Sequence, residues 1–171
     1  IARSEIGYTF QRPAEYAAAV RAAAIKTGYS GQVFIQGDHF QANLKNHQEN
    51  PEKEIEGLQA LILSAVGAGF YNIDIDSSTL VDLSLPKVKD QQYSNYEVCA
   101  KLTQFIRRIQ PKGIMVSVGG EIGEVGHQNS TPEDLRAFME GFKQRLRKGL
   151  TGISKISIQT GTSHGGVVLP D

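Results

Sequence analysis

The chain has 171 residues, a length at which a single domain buries a workable core. Its 18 acidic and 18 basic side chains cancel, which argues against a nucleic-acid partner because such proteins carry a basic surface. One cysteine, Cys99, excludes an internal disulfide and a cysteine-rich zinc site, and we expect it to be buried. No apolar run reaches the roughly 18 residues of a membrane span and no signal-peptide pattern opens the chain, so we expect a cytoplasmic protein without a membrane partner.

Helical and strand-like segments alternate along the chain. Prolines at helix starts, and glycine or proline at helix ends, mark most of the helices, while short apolar runs between them are typical of strands. In order, we predict a helix at 13–28, a strand at 33–36, a polar loop at 40–50, a helix at 51–69, a strand at 70–76, a loop at 77–93, a helix at 94–110, a strand at 113–118, a helix at 131–149 and a strand at 153–159.

This alternation predicts an α/β fold with a parallel sheet and right-handed crossovers. The links that follow helices are short and those that follow strands are long. Because barrels and doubly wound sheets both keep their sites at the carboxyl ends of the strands, we expect the functional residues in these longer loops.

Polar side chains follow each predicted strand. Two imidazoles and a carboxylate are a reasonable ligand set for catalytic zinc, which takes three protein ligands and leaves one position open. The alternative is structural, since strand-end Asp and His often cap the next helix or bond the loop backbone. The strand-end groups are Asp38 with His39, then Asp76, then Glu121, then Ser163 with His164.

Two further residues are interpreted from strand geometry. Asp38 neighbours His39 and is expected to point differently, because adjacent strand residues alternate faces, so it is a candidate acid/base beside the metal. Asp74 shares a face with Asp76 by the period of two, and is either a contact of the site or a buried charge that needs a partner.

A glycine-rich turn follows the last predicted strand, from Gly161 to Gly166. Its backbone amides and two hydroxyls could approach an anion closely, as in the nests that bind phosphate. Because this turn contains His164, we expect a phosphorylated substrate beside a metal.

Four motifs in this order carry a resemblance: Gly37-Asp38-His39, Ile75-Asp76-Ser77-Ser78, Glu121-Ile122-Gly123 and Gly161-Thr162-Ser163-His164-Gly165. They resemble the class II fructose/tagatose-bisphosphate aldolases, which are zinc-dependent TIM barrels. The first half of the chain is also similar to the non-catalytic-type tagatose-bisphosphate aldolase subunits of that superfamily. The resemblance covers almost the whole chain and implies a TIM (β/α)8 barrel, of which residues 1–171 supply about four consecutive strand-helix units within one domain.

The resemblance also implies roles for single residues. His39 and His164 would bind the catalytic zinc, with Glu121 in or beside the metal shell and Asp76 close enough to help hold a metal. Asp38 would be the acid/base for the aldehyde oxygen. The implied phosphate contacts are Gly161, Ser163 and Gly165, with a monovalent cation near the phosphate site as a second candidate cofactor.

The chain departs from the family pattern at three places. The family's third zinc histidine has no counterpart here, so Glu121 would have to serve. The loop glutamate that takes the proton from the ketone substrate is missing from Gly126-His127-Gln128-Asn129, where Glu124 or His127 is the candidate replacement. The lysine that follows the family's His-Gly is replaced by Val167 or Val168.

Three functions follow from these observations. The leading hypothesis is a zinc-dependent lyase of carbohydrate metabolism, such as glycolysis, that cleaves or forms a C–C bond in fructose- or tagatose-bisphosphate. The alternative is a non-catalytic barrel subunit that supports a partner aldolase, and the third is another metal or phosphosugar enzyme on the same scaffold. The expected partners are a phosphorylated sugar and either further copies of this chain or a partner aldolase subunit.

Overall fold

The computed structural model describes residues 1–123 and 128–161, which form seven α-helices and four β-strands. The helices are α1 (Arg3–Thr9), α2 (Pro13–Lys26), α3 (Leu44–Glu49), α4 (Pro51–Gly67), α5 (Val88–Gln91), α6 (Tyr93–Ile109) and α7 (Pro132–Arg145). The strands are β1 (Gln36–Gln41), β2 (Asn72–Asp76), β3 (Ser117–Glu121) and β4 (Lys155–Ser157), and a 3-10 turn covers Ser78–Leu80. Among the helices described, none is long and apolar enough to cross a bilayer.

The four strands form one parallel sheet in the order β1-β2-β3-β4. Helices lie between successive strands in the sequence, so each crossover is a strand-helix-strand unit. The α/β class and the parallel sheet are confirmed. Closure into a barrel, and the assignment of residues 1–171 to one domain, stay predictions.

The predicted position of the first strand is wrong. Val33 and Phe34 are 40% and 78% exposed and precede the strand, which begins at Gln36 and contains Asp38 and His39. The apolar run was misleading because one face of this sheet is polar, so the paired residues carry no continuous apolar signal. The later strands are shifted or shortened for the same reason: β2 begins at Asn72, β3 covers Ser117–Glu121 and β4 covers Lys155–Ser157.

Two predicted loops contain short helices. Asn43 begins α3 inside the predicted loop 40–50, because its side chain accepts a hydrogen bond from the amide of Asn46 at 3.0 Å. The predicted loop 77–93 contains the 3-10 turn and α5. Such short helices lack the apolar periodicity that identifies longer ones.

The core lies between one face of the sheet and helices α4, α6 and α7. Gly120 lets α6 and α7 approach β3, since a Cβ there would lie 3.2 Å from Phe138 and 3.3 Å from the sulfur of Cys99. The prediction that Cys99 is buried is confirmed, and burial raises the pKa of its thiol to about 12. The largest fully buried side chains include Phe40, Phe70, Phe138, Phe142, Leu58, Ile62, Ile73, Ile75 and Leu102.

The first residues of the chain pair with the outer edge of β1. The amide of Asp38 donates to the carbonyl of Ile1 at 3.0 Å, and the nitrogen of Ile1 donates to the carbonyl of Gln36 at 3.0 Å. This pairing places Arg3 beside the buried carboxylate of Glu54 on α4, with which it forms an ion pair. The carboxyl end of β1 is therefore fastened to α1 and α4.

Candidate metal and acid–base site

A β-bulge in β1 places Asp38 and His39 together. Gly37 pairs with Ile73 and Phe40 pairs with Ile75, so two residues of β1 lie opposite the single residue Asp74 of β2. His39 has a φ of 45°, in the left-handed region that few residues other than glycine adopt. Such bulges redirect side chains, and non-glycine residues in this conformation are frequent at functional sites. The expectation that Asp38 and His39 lie on opposite faces is wrong, because Asp38 contacts Gln36, which bonds Asp74, while His39 contacts Asp76 on the same face of β2.

Three candidate ligands meet at the carboxyl ends of β1, β2 and β3. Nδ1 of His39 lies 3.3 Å from Oδ2 of Asp76 and 3.5 Å from Oε2 of Glu121. One ligand atom of each residue lies within 4.8 Å of those of the other two. Tetrahedral zinc with bonds of about 2.1 Å separates its ligand atoms by about 3.4 Å, which is close to the two distances from Nδ1 of His39, so the donor set suits this ion.

Asp76 is oriented by several hydrogen bonds. It is the last residue of β2 and is 2% exposed. Gln41 donates to its Oδ2 at 2.6 Å, while the hydroxyl and the amide of Ser78 donate to its Oδ1 at 2.7 and 3.2 Å. Contacts of this kind orient a carboxylate toward a metal.

Glu121 is held in place through its backbone and through a neighbouring glycine. The side chain of Asn95, on α6, donates to the carbonyl of Glu121 at 2.9 Å and accepts from the hydroxyl of Ser77 at 2.7 Å. Gly123 leaves room for the Glu121 side chain, since a Cβ at Gly123 would overlap with Oε1 of Glu121. Helix α6 therefore links the ends of β2 and β3.

The two carboxylates make His39 basic. The hydrogen bond to Asp76 raises the pKa of His39 to about 9 against the opposing effect of burial, and the charges of Glu121 and Asp38 add to the rise. Burial raises the pKa of Asp76, but hydrogen bonds from His39, Ser78 and Gln41 outweigh it and hold that pKa below its usual value. The site therefore favours positive charge at Nδ1 of His39, which a proton or a divalent cation could supply.

A cleft of about 160 Å³ is lined by two of the candidate ligands, His39 and Glu121, and by the candidate acid/base Asp38. Gln36 donates to Oδ1 of Asp38 at 2.9 Å at one side of this cleft. Burial raises the pKa of Asp74, which lines the same cleft, although its ion pair with Lys155 opposes the rise. The cleft is lined by Asp38, His39, Asp74, Gly120, Glu121, Lys155, Ile156 and Ser157.

The structure brings together four of the predicted site residues: Asp38, His39, Asp76 and Glu121. Gly161 is described, with a φ of 94°, and its amide donates to the side chain of Asn129 at 2.6 Å. His164, Ser163 and Gly165 lie outside the described residues, as do Glu124 and His127, and their roles stay predictions.

Sequence reasoning missed several polar partners of the site. Asp74 was identified because the strand period of two places it on the same face as Asp76. The same period places Gln36 on the face of Asp38 and could have identified it. Lys155 and Asn95 carried no comparable signal, because they reach the site from a later strand and from a helix. The missed partners are Gln36, Gln41, Asn95 and Lys155.

Comparison with known proteins places the chain among related sequences and folds. No family model matches the chain. The D-tagatose-1,6-bisphosphate aldolase subunit GatZ of Escherichia coli O1:K1 / APEC is 26% identical over 180 residues, covering 95% of this chain and 43% of the relative. The subunit of the same name from Escherichia coli O45:K1 (strain S88 / ExPEC) gives the same values. The resemblance to the class II fructose/tagatose-bisphosphate aldolase family is confirmed.

The chain spans less than half the length of these aldolase-subunit relatives. Among solved structures, a probable tagatose 6 phosphate kinase from Sinorhizobium meliloti 1021 superposes with a TM-score of 0.66 at 17% identity. That match covers 95% of this chain and 41% of the other. At such low identity it indicates a shared fold, and it agrees with the α/β architecture described above.

Proposed function

We propose that this chain carries the metal and acid–base site of a zinc-dependent aldolase that cleaves or forms a C–C bond in a phosphorylated ketose such as fructose- or tagatose-bisphosphate. The observation that carries the proposal is the convergence of His39, Asp76 and Glu121 beside Asp38. The names of the curated relatives, which are subunits of a tagatose-bisphosphate aldolase, supply the substrate class.

His39, Asp76 and Glu121 are the residues that would hold the metal, with His164 as a further candidate ligand. Two carboxylates and an imidazole are hard to borderline donors that suit zinc. Zinc bound there would supply Lewis acidity toward the ketone oxygen of the substrate. Gln41 and Ser78 keep the Asp76 carboxylate pointed at this position through their hydrogen bonds.

Asp38 would move the proton at the aldehyde oxygen. In the cleavage direction its carboxylate accepts the proton of the substrate hydroxyl whose oxygen becomes the aldehyde oxygen, while the adjacent C–C bond breaks. In the condensation direction the same group returns that proton. Asp38 suits this role because it lines the cleft next to His39 and Glu121.

The glycine-rich turn would bind a substrate phosphate through Gly161, Ser163 and Gly165. Backbone amides and hydroxyls of such a turn suit an anion. A monovalent cation near this phosphate site is part of the same proposal, as is Glu124 or His127 as the group that deprotonates the ketone substrate.

The test combines metal analysis with an aldol-cleavage assay on the full-length protein. We expect close to one zinc per chain, and a fall in kcat of at least about 100-fold in Asp38→Ala with the zinc content unchanged. Asp82→Ala, at an aspartate outside the cleft, is the matched control and should keep the wild-type kcat and zinc content. Absence of zinc, or an Asp38→Ala variant as active as the wild type, would refute the proposal.

A second candidate function is support of a partner aldolase chain, because the curated relatives are named as subunits. In that case the purified chain alone would be inactive and would raise the activity of an aldolase that co-purifies with it. Size-exclusion chromatography of the tagged protein from its native host separates this outcome from an active homo-oligomer. Full activity of the chain without any partner would contradict the supporting role.

A further inference from the structure

An ion pair crosses the third strand of the sheet. Gly119 on β3 is paired in register with Asp74 on β2 and with Lys155 on β4. Nζ of Lys155 lies 3.0 Å from Oδ1 of Asp74, so the lysine side chain passes over Gly119. A Cβ at Gly119 would overlap with Oδ1 of Asp74 and lie 3.0 Å from Cε of Lys155. The ion pair therefore depends on a glycine at this position.

The same two side chains hold the amide of Gln36. Lys155 donates to Oε1 of Gln36 at 2.7 Å, while Nε2 of Gln36 donates to Oδ2 of Asp74 at 2.5 Å. The other hydrogen of Nε2 is directed to Oδ1 of Asp38 at 2.9 Å. A flipped amide would place its oxygen against two carboxylates and its nitrogen against an ammonium group, so its orientation is determined by charge.

The ion pair between Lys155 and Asp74 contributes little to the stability of the fold. The side chains of Lys155 and Asp74 are 39% and 23% exposed, and ion pairs of this exposure are worth about 0–1 kcal/mol. The arrangement instead forms a continuous path of polar contacts from Lys155 on β4, over Gly119 on β3, through Asp74 and Gln36 to Asp38. Asp38 is the carboxylate that we assign to acid–base chemistry.

We propose that Lys155, Asp74 and Gln36 form a positioning bridge that orients the carboxylate of Asp38 in the cleft. The consequence for catalysis rests on the proposed function, whereas the bridge itself rests on the contacts alone. The three members are positioning residues, because they act on the substrate through Asp38. Displacement of a reacting group by about 1 Å costs on the order of 100-fold in rate, so loss of the bridge should lower kcat by about 10- to 100-fold and leave KM nearly unchanged.

The first readout does not require turnover. In protein labelled with ¹³C at the aspartate carboxyl groups, the Asp38 resonance is identified by its absence in Asp38→Asn. We expect this resonance to move in Lys155→Met, and also in Gly119→Ala, which keeps all four polar groups but blocks the crossing. Lys143→Met, at an exposed lysine of α7, is the matched control and should leave the resonance unchanged.

The second readout is kinetic. Lys155→Met should lower kcat by the stated factor in the wild-type background and have no further effect in Asp38→Asn, while Lys155→Arg, which keeps the charge, should recover part of the loss. Should Lys155→Met fail to fold, Gln36→Leu replaces it with the same expectations. An unmoved Asp38 resonance, or equal kcat in the Lys155→Met and Lys143→Met variants, would overturn the bridge. A wild type without aldolase activity would instead overturn the proposed function, since the carboxyl resonance still reports the bridge.

Discussion

The two faces of the sheet differ in almost every physical respect. Residues that alternate along the same strands face the helices on one side and the cleft on the other. The helix-facing residues are apolar and nearly inaccessible: Phe40, Ile73, Ile75 and Val118. The residues that line the cleft, or contact those that do, are polar or charged: Gln36, Asp38, His39, Asp74, Asp76, Glu121 and Lys155.

Because of this difference, the helix-facing side chains stabilise the fold, whereas the cleft-facing side chains, a few ångströms away, are available for chemistry. The helix-facing side chains remove apolar surface from water, which contributes about 25 cal/mol per Å² to folding. The cleft-facing charges gain little net stability, because desolvation offsets their mutual attraction. Substitutions on the two faces should therefore change different properties of the protein.

The largest loss of stability is expected on the helix-facing side, for Phe138→Ala. Phe138 is fully buried on α7 and stacks on Phe142 with ring centroids 6.1 Å apart. Its truncation should lower the free energy of unfolding by about 3–5 kcal/mol in urea denaturation, with zinc affinity of the folded protein unchanged. Phe10→Ala, at a side chain 87% exposed, should stay within about 0.5 kcal/mol. Equal effects of the two substitutions would break the comparison.

The reverse pattern is expected on the cleft side, for Asp76→Asn. This substitution keeps the shape of the side chain but removes its charge, so zinc affinity measured by isothermal titration should fall by more than about 100-fold, beyond the 10- to 100-fold typical of residues behind the ligands. Stability should fall by only about 1–2 kcal/mol, since some hydrogen bonds to Ser78 survive. Asp82→Asn, whose partner Ser84 lies on an exposed turn, is the control. Unchanged zinc affinity in Asp76→Asn would remove this residue from the metal site.

Glu54 is an exception to the apolar character of the helix side, because it is a buried carboxylate on α4. It is 4% exposed, and Arg3, Asn43 and Asn46 all donate to it. Burial raises its pKa, but these donors outweigh it and hold the pKa below the ordinary 4.5. Glu54→Gln should therefore cost about 2 kcal/mol at pH 7.

The pH dependence of that cost follows from the sign of the shift. Because the pKa of Glu54 is lower in the folded state, its contribution is complete above pH 4.5 and is lost as pH falls through the folded-state value. Urea denaturation of the wild type and Glu54→Gln should thus converge in acid. Glu49→Gln, at an exposed glutamate 4.0 Å from Lys45, should change stability by less than about 0.5 kcal/mol at either pH. A cost for Glu54→Gln that persists undiminished in acid would show that shape rather than charge is involved.

The sequence predicted some of the site well and some of it poorly, for identifiable reasons. Asp76 and Glu121 end their strands, so a strand-end rule finds them. His39 was also found, although its strand was placed three residues too early, because the apolar run at Val33 and Phe34 precedes the pairing. Lys155 was not found, since its role depends on a strand pairing and a glycine gap that no local pattern records.

By itself, the sequence determined the alternation of strands and helices, the α/β class and the set of polar residues available at the strand ends, because periodicity and helix-end signals are local properties. Only the tertiary structure decided that β1 carries a bulge at Asp38 and His39 and that Nδ1 of His39 lies between two carboxylates. It also decided that Lys155 reaches Asp74 over Gly119. The physical reason is register: which side chains meet depends on how each strand is aligned with its neighbours, and a shift of one residue exchanges the faces.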